Sequence, residues 1–118
     1  MPRNLVLVGF MGTGKSSVGK VLARRLSRPL VDVDQAIEAR ERRKISEIFR
    51  DEGEAAFRRI EKTAVAEAAA RDGAIITTGG GAVLDPENIR VLRQNGWIIS
   101  LKETKRNHES YLKQIGEF

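Results

Sequence analysis

Residues 8–17 read VGFMGTGKSS, three glycines and a lysine set directly behind the apolar run of residues 4–9, NLVLVG. Gly9, four intervening residues, then Gly14-Lys15-Ser16 is the spacing of a phosphate-cradling loop, and its flanks are the ones that loop requires: a strand before it and a helix after it. Glycines let successive backbone N–H groups turn inward around phosphate oxygens, and the helix that follows adds its positive end. In such a loop Lys15 reaches the β and γ phosphates and the Ser16 hydroxyl serves Mg²⁺. The stretch therefore predicts a site for a nucleoside triphosphate.

Outward from the loop, the chain alternates. From Lys15 the pattern is helical, with Val18, Val21, Leu22 and Leu26 on one face. Pro29 lies beyond that helix, and residues 30–34, LVDVD, read as a second strand. Helices are predicted over 35–43, over a short stretch begun by Ser46 and closed near Gly53, and over the alanine-rich residues 54–71. Residues 74–78, AIITT, form a third strand that runs into Gly79-Gly80-Gly81. Asp85-Pro86-Glu87 starts another helix with an N-cap, a proline and an acid in the first turn. Asn95-Gly96 stops it, and residues 97–101, WIISL, make a fourth strand. Strands separated by helices imply right-handed crossovers, hence an α/β fold: a parallel sheet with helices on both faces.

Composition bounds the chemistry. The 118 residues fit one domain, and 41% hydrophobic with 31% charged is a globular balance. No apolar run nears the roughly 20 residues that cross a bilayer, and the N-terminus does not read as a secretory signal, so a cytoplasmic protein is expected. There is no cysteine and only one histidine, His108, which excludes disulfides, thiolate metal sites and cysteine nucleophiles. Net charge is +5, yet acids are interspersed among the basic helical stretches and aromatics are only 5%. Nucleic acid is therefore not expected as a partner, nor is a membrane.

Several residues point to the acceptor of the terminal phosphate. Asp32 and Asp34 stand two apart at the end of the second predicted strand, on one face and near the carboxyl ends where ligands of parallel sheets gather. One could serve Mg²⁺ while the other accepts hydrogen bonds from a hydroxyl; the alternative is a pair of helix N-caps. On the long helix, Phe57, Ile60, Ala64 and Val65 form an apolar stripe that contains Glu61, with Arg58 at its edge. A carboxylate on a packing face is costly unless paired, so this helix is expected to border a polar cavity. Gly79-Gly80-Gly81 suggests backbone laid against a ligand or a strained turn. No acid follows AIITT, where many nucleotide hydrolases keep a second magnesium ligand, which weakens a GTPase or motor reading.

Together these segments resemble the shikimate kinases over residues 1–101: GFMGTGKSS resembles the phosphate loop, DVD the acidic pair, FRRIE the substrate-binding helix motif and TTGGGAV the triple-glycine turn. The resemblance implies a three-layer P-loop kinase fold with strand order 2-3-1-4-5. It also implies transfer of the γ-phosphate of ATP to the 3-hydroxyl of shikimate in aromatic amino-acid biosynthesis. Under it, Gly12, Thr13, Gly14, Lys15, Ser16 and Ser17 hold the nucleotide, and Ser16 and Asp32 serve Mg²⁺. Lys15 steadies the phosphoryl group in transit, while Asp34 grips the substrate hydroxyls and helps deprotonate the attacking one. Arg58 holds the substrate carboxylate, Glu61 buttresses Arg58, and Gly80 and Gly81 give backbone donors to the ring hydroxyls. Arg58, Glu61 and the triple glycine argue against a gluconate or nucleotide kinase.

Residues 102–118, KETKRNHESYLKQIGEF, do not resemble the family's lid, fifth strand and final helix, and read as a separate tail with helical spacing of Tyr111, Leu112 and Ile115. A sheet of order 2-3-1-4 is then expected, with the fourth strand's edge uncovered. Members of the family are expected to be monomers, and that edge invites self-association. Without lid arginines, weak nucleotide binding and slow turnover are expected, the alternative to a working kinase being a weakly active or inactive fragment that binds nucleotide.

Overall fold

A computed structural model of the chain describes residues 3–9 and 15–100, with the backbone alone for Lys15 and Ser16. The elements run β1 (Asn4–Val8), α1 (Lys15–Leu26), β2 (Leu30–Asp32), α2 (Val33–Glu41), α3 (Ile45–Glu52), α4 (Glu54–Ala69), β3 (Ile75–Thr77), a single 3₁₀ turn (Ala82–Leu84), α5 (Pro86–Gln94) and β4 (Gly96–Ser100). The strands make one parallel sheet in the order β2-β3-β1-β4, as expected. The tail from residue 101 onward lies outside the described residues.

Strand alternation divides the core into two faces. Leu5, Leu7 and Ile75 join Val18 and Leu22 of α1 on one side. Val6, Val8 and Ile76 join Val33, Ile37, Ile48, Phe57, Val65 and Leu92 on the other, beneath α2 to α5. Gly19 brings α1 close to the sheet, because a Cβ there would stand 3.0 Å from Thr77 Cγ2 and 3.2 Å from Leu30 Cδ1.

The elements depart most from the sequence reading at three places. LVDVD is not one strand: β2 stops at Asp32, whose carboxylate accepts the Gln35 N–H at 3.1 Å and so caps α2. An N-cap satisfies a backbone donor that a continuing strand would leave to find another partner. α3 starts at Ile45 rather than at Ser46, because Glu47 Oε1 reaches back to the Lys44 N–H at 3.0 Å and Glu38 Oε2 accepts the Ile45 N–H at 2.9 Å. The 3₁₀ turn after the glycines carries no periodic signal in the sequence. The start of α5 is as read, with Asp85 capping the Glu87 N–H at 2.9 Å and Pro86 at the first position.

The amino ends of the strands are tied by Asn4, which is 1% exposed. Its Nδ2 donates to the Arg71 carbonyl at 2.7 Å and its Oδ1 accepts the Ala74 N–H at 2.9 Å, while its own N–H donates to the Asn95 carbonyl at 3.0 Å. One side chain thus joins β1 to the end of α4 and the entry of β3.

Candidate active site

The carboxyl ends of β1, β2 and β3 carry the groups of chemical interest. α4 presents Phe57, Glu61 and Val65 of the predicted stripe inward, while Ile60 and Ala64 of that stripe are half-buried, and Glu61 is 2% exposed. Its burial is compensated by Arg58, whose Nη1 donates to Glu61 Oε1 at 2.8 Å. Glu54 Oε2 stands 3.6 Å from Arg58 Nη2, and the guanidinium carbon lies 5.3 Å from the centre of the Phe57 ring. Phe57 is itself packed against Phe49, with ring centroids 4.8 Å apart. The hydrogen bond to Glu61 holds the Arg58 pKa above the ordinary arginine value against the opposing effect of its burial. Arg58 is a fixed cation, gripped on one edge by a buried carboxylate and open to solvent at 36% of its side chain. Such a planar cation can still receive a second, external carboxylate in a forked geometry.

The triple-glycine turn faces this cation. A Cβ on Gly81 would stand 2.5 Å from Arg58 Nη2 and 2.8 Å from its Cζ, and a Cβ on Gly79 would stand 2.9 Å from Asp34 Oδ2. Gly81 has an ordinary φ of −78°. None of the three glycines has a positive φ, so the strained-turn reading does not hold, and at Gly79 and Gly81 it is space that a side chain would contest. Two charged side chains, arriving from α2 and α4, occupy the volume that side chains on this turn would fill.

The two aspartates part company. Asp34 sits in the first turn of α2 and not on a strand, so strand alternation does not bring it to the face of Asp32; the helix start turns its carboxylate toward Gly79. Asp32 is paired in register with Thr77 of β3, and Thr77 with Leu7 of β1. Partners in a parallel register share a face, here the one packed against α1. The Asp32 carboxylate accordingly leaves β2 on the side where the phosphate loop's helix begins.

Thr77 and Thr78 were not singled out from the sequence, since two threonines ending a strand look like ordinary strand residues. Both are buried, and neither hydroxyl has a hydrogen-bond partner among the described residues. The cue available was their place immediately before the glycines, where a strand is about to reach a site.

On the nucleotide side, β1 leaves through Gly9 at φ 153°, a conformation that L-residues rarely adopt, so the loop's first glycine is required by its backbone. The first turn of α1 carries no acidic residue that would neutralise its positive end, and Ser17 is exposed there. Gly12, Thr13 and Gly14 lie outside the described residues, as do the side chains of Lys15 and Ser16. Asp34, Arg58, Glu61 and Gly81 are brought to one corner, and Gly80 lies in the same turn as Gly81.

Comparison with known proteins places this geometry among relatives. The family model for shikimate kinase matches residues 11–116. The shikimate kinase of Symbiobacterium thermophilum is 54% identical over 83% of this chain and 56% of its own length. Among solved structures, shikimate kinase from Acinetobacter baumannii in complex with shikimate superposes with a TM-score of 0.85 at 31% identity, covering 100% of this chain and 76% of that one. Shikimate kinase from Bacteroides thetaiotaomicron gives a TM-score of 0.81 at 35% identity, over 85% of this chain and 57% of that one. The chain spans little more than half the length of the curated relatives it matches.

Proposed function

We propose the function of this chain from one premise: it belongs to the shikimate kinase family. It transfers the γ-phosphate of ATP to the 3-hydroxyl of shikimate, a reaction of aromatic amino-acid biosynthesis, and works as a monomer in the cytoplasm. Among the described residues no helix is long and apolar enough to cross a membrane.

The observation that carries the reading is the corner where Arg58, held by the buried Glu61, meets the triple-glycine turn while Asp34 abuts its other end. Shikimate offers a carboxylate on one side of its ring and hydroxyls on the other. Arg58 takes the carboxylate, and the backbone N–H groups of Gly80 and Gly81 donate to ring oxygens. Asp34 accepts from the attacking hydroxyl and draws off its proton as the bond to phosphorus forms. Glu61 does not touch substrate; it fixes the Arg58 fork so that the ring arrives in one orientation. Alignment of this kind is the main protein contribution to phosphoryl transfer, together with neutralisation of the phosphate charge. Lys15 and the amide-lined loop of Gly12, Thr13, Gly14, Ser16 and Ser17 supply that neutralisation, aided by the positive end of α1.

The donor set fits magnesium. Asp32 commits Oδ1 to its cap, and a carboxylate oxygen is a hard donor of the kind Mg²⁺ takes; its register partner Thr77 carries a hydroxyl with no partner among the described residues. Ser16 and Asp32 would hold the ion, which would supply neutralisation of the phosphate charge.

A coupled ADP-release assay on the purified chain tests the proposal. ADP production should need shikimate and Mg²⁺ together and should not arise with gluconate. ATP binding with no shikimate-dependent ADP would overturn it.

A further inference from the structure

Between α2 and α4, beside β2, lies a cavity of about 180 Å³. Its apolar walls come from Val31, Val33, Ala36, Ile37, Ile60, Ala64 and Ala68, and its charged lining from Arg40, Glu67 and Arg71. It is separate from the corner described above. At about 100° per residue, Ile60, Ala64, Glu67 and Ala68 occupy one arc of α4, and Arg58 lies roughly 130° from the middle of that arc. None of Asp34, Arg58, Glu61 or the glycines lines it.

The cavity exists because both helices place alanines where larger side chains would close the gap. Its charges are unequal. Arg40 Nη2 stands 2.6 Å from Glu67 Oε1, so these two neutralise each other across the groove. Arg71, just past the end of α4, has no carboxylate partner among the described residues, and its carbonyl, which takes the Asn4 and Asn95 side-chain amides, fixes its backbone. A half-open groove with apolar walls and one exposed guanidinium that no carboxylate among the described residues neutralises suits a body of hydrocarbon bearing a single negative charge. The size is right for one ring, since an apolar cavity of about 150 Å³ holds benzene.

We infer that the cavity between α2 and α4 is a second ligand site, for a small monocarboxylate with a one-ring or branched hydrocarbon body, its carboxylate on Arg71 and its carbons against Ile37, Ile60 and Ala64. The inference stands apart from the proposed kinase reaction, because no residue of that reaction takes part in it.

The probe is phenylacetate, titrated into the isotopically labelled full chain and followed through backbone amide resonances, with neutral benzyl alcohol as the control. Saturable shifts are expected at residues 31–40 and 60–71, with a dissociation constant on the order of 1 mM for a ligand of this size. Arg71→Gln should weaken phenylacetate about ten-fold, as loss of a charge-assisted hydrogen bond does, and leave benzyl alcohol unchanged. Ala64→Leu, checked for a native spectrum, should abolish both. Shifts that do not saturate, shifts centred on residues 58 and 79–81, or equal affinity of the two probes for the unaltered chain would each overturn the inference. Unchanged phenylacetate binding in Arg71→Gln would do the same, whether or not Ala64→Leu folds.

Discussion

The two ends of the sheet treat buried polar groups in opposite ways. At the amino end, Asn4 is fully enclosed and both ends of its amide are used, one on the Arg71 carbonyl and the other on the Ala74 N–H. At the carboxyl end, a glutamate is buried on an apolar helix face, two threonine hydroxyls are buried without partners among the described residues, and an arginine is held half in solvent. Buried groups left partly unsatisfied are a standing cost, about 1–3 kcal/mol each. Asn4 repays its burial in stability. At the opposite end Arg58 offsets the burial of Glu61, but the two threonine hydroxyls stay unsatisfied among the described residues, a cost of the kind a site for a polar ligand carries.

Arg58→Ala tests the carboxyl end most severely. Removing the fork should weaken shikimate about 100-fold by titration calorimetry, on the order of 3 kcal/mol, and leave ATP binding nearly unchanged. Equal losses for both ligands would mean that the variant is misfolded, and no loss for shikimate would break the contrast between the ends. Asn4→Ala should do the reverse. It deprives the Ala74 N–H of its partner and weakens the tie to α4, so a destabilisation of about 2 kcal/mol is expected in urea melts. Ligand affinities of the folded fraction should stay where they were.

Gly81→Ala sharpens the comparison, because it tests space alone. Its backbone angle suits alanine, so the fold should lose little. The new methyl must shift the far end of the Arg58 side chain while Glu61 Oε1 still accepts from it. Shikimate KM should rise about ten-fold, equivalent to roughly 1.4 kcal/mol, with the melting temperature almost unmoved. A large drop in melting temperature with unaltered KM would show that the glycine serves packing instead.

Local pattern made much of this legible. The Gly9 to Ser16 spacing is a contiguous signal, and Glu61 stood out because helical periodicity alone put a charge inside an apolar stripe. The four-strand order came with the resemblance. What was not legible depended on contacts between distant segments. LVDVD alternates like a strand, and only the Asp32 side chain bonding to Gln35 decides that the helix begins there. The glycines leave a strained turn open as a reading, and only the fold shows that the space at Gly79 and Gly81 is set by Asp34 and Arg58, 45 and 23 residues earlier in the chain. Ser46 is a good helix-starting residue in isolation, but Glu47 and Glu38 satisfy the Lys44 and Ile45 N–H groups ahead of it.

Thr77 sets the finest test, because its hydroxyl and its methyl make separable contributions. The methyl lies where a Gly19 Cβ would come within 3.0 Å, so it packs against α1, and valine keeps it. The hydroxyl is buried with no partner among the described residues, so exchanging it for a second methyl removes an unsatisfied group and leaves the shape. Thr77→Val should therefore change folding stability by less than about 0.5 kcal/mol, or raise it. If the carboxyl end is built for arriving ligands, the same change should still lower kcat with saturating ATP, since Thr77 is the register partner of Asp32 on the α1 face. Lost stability with intact turnover would make Thr77 a second Asn4, and the two ends of the sheet would no longer differ in kind.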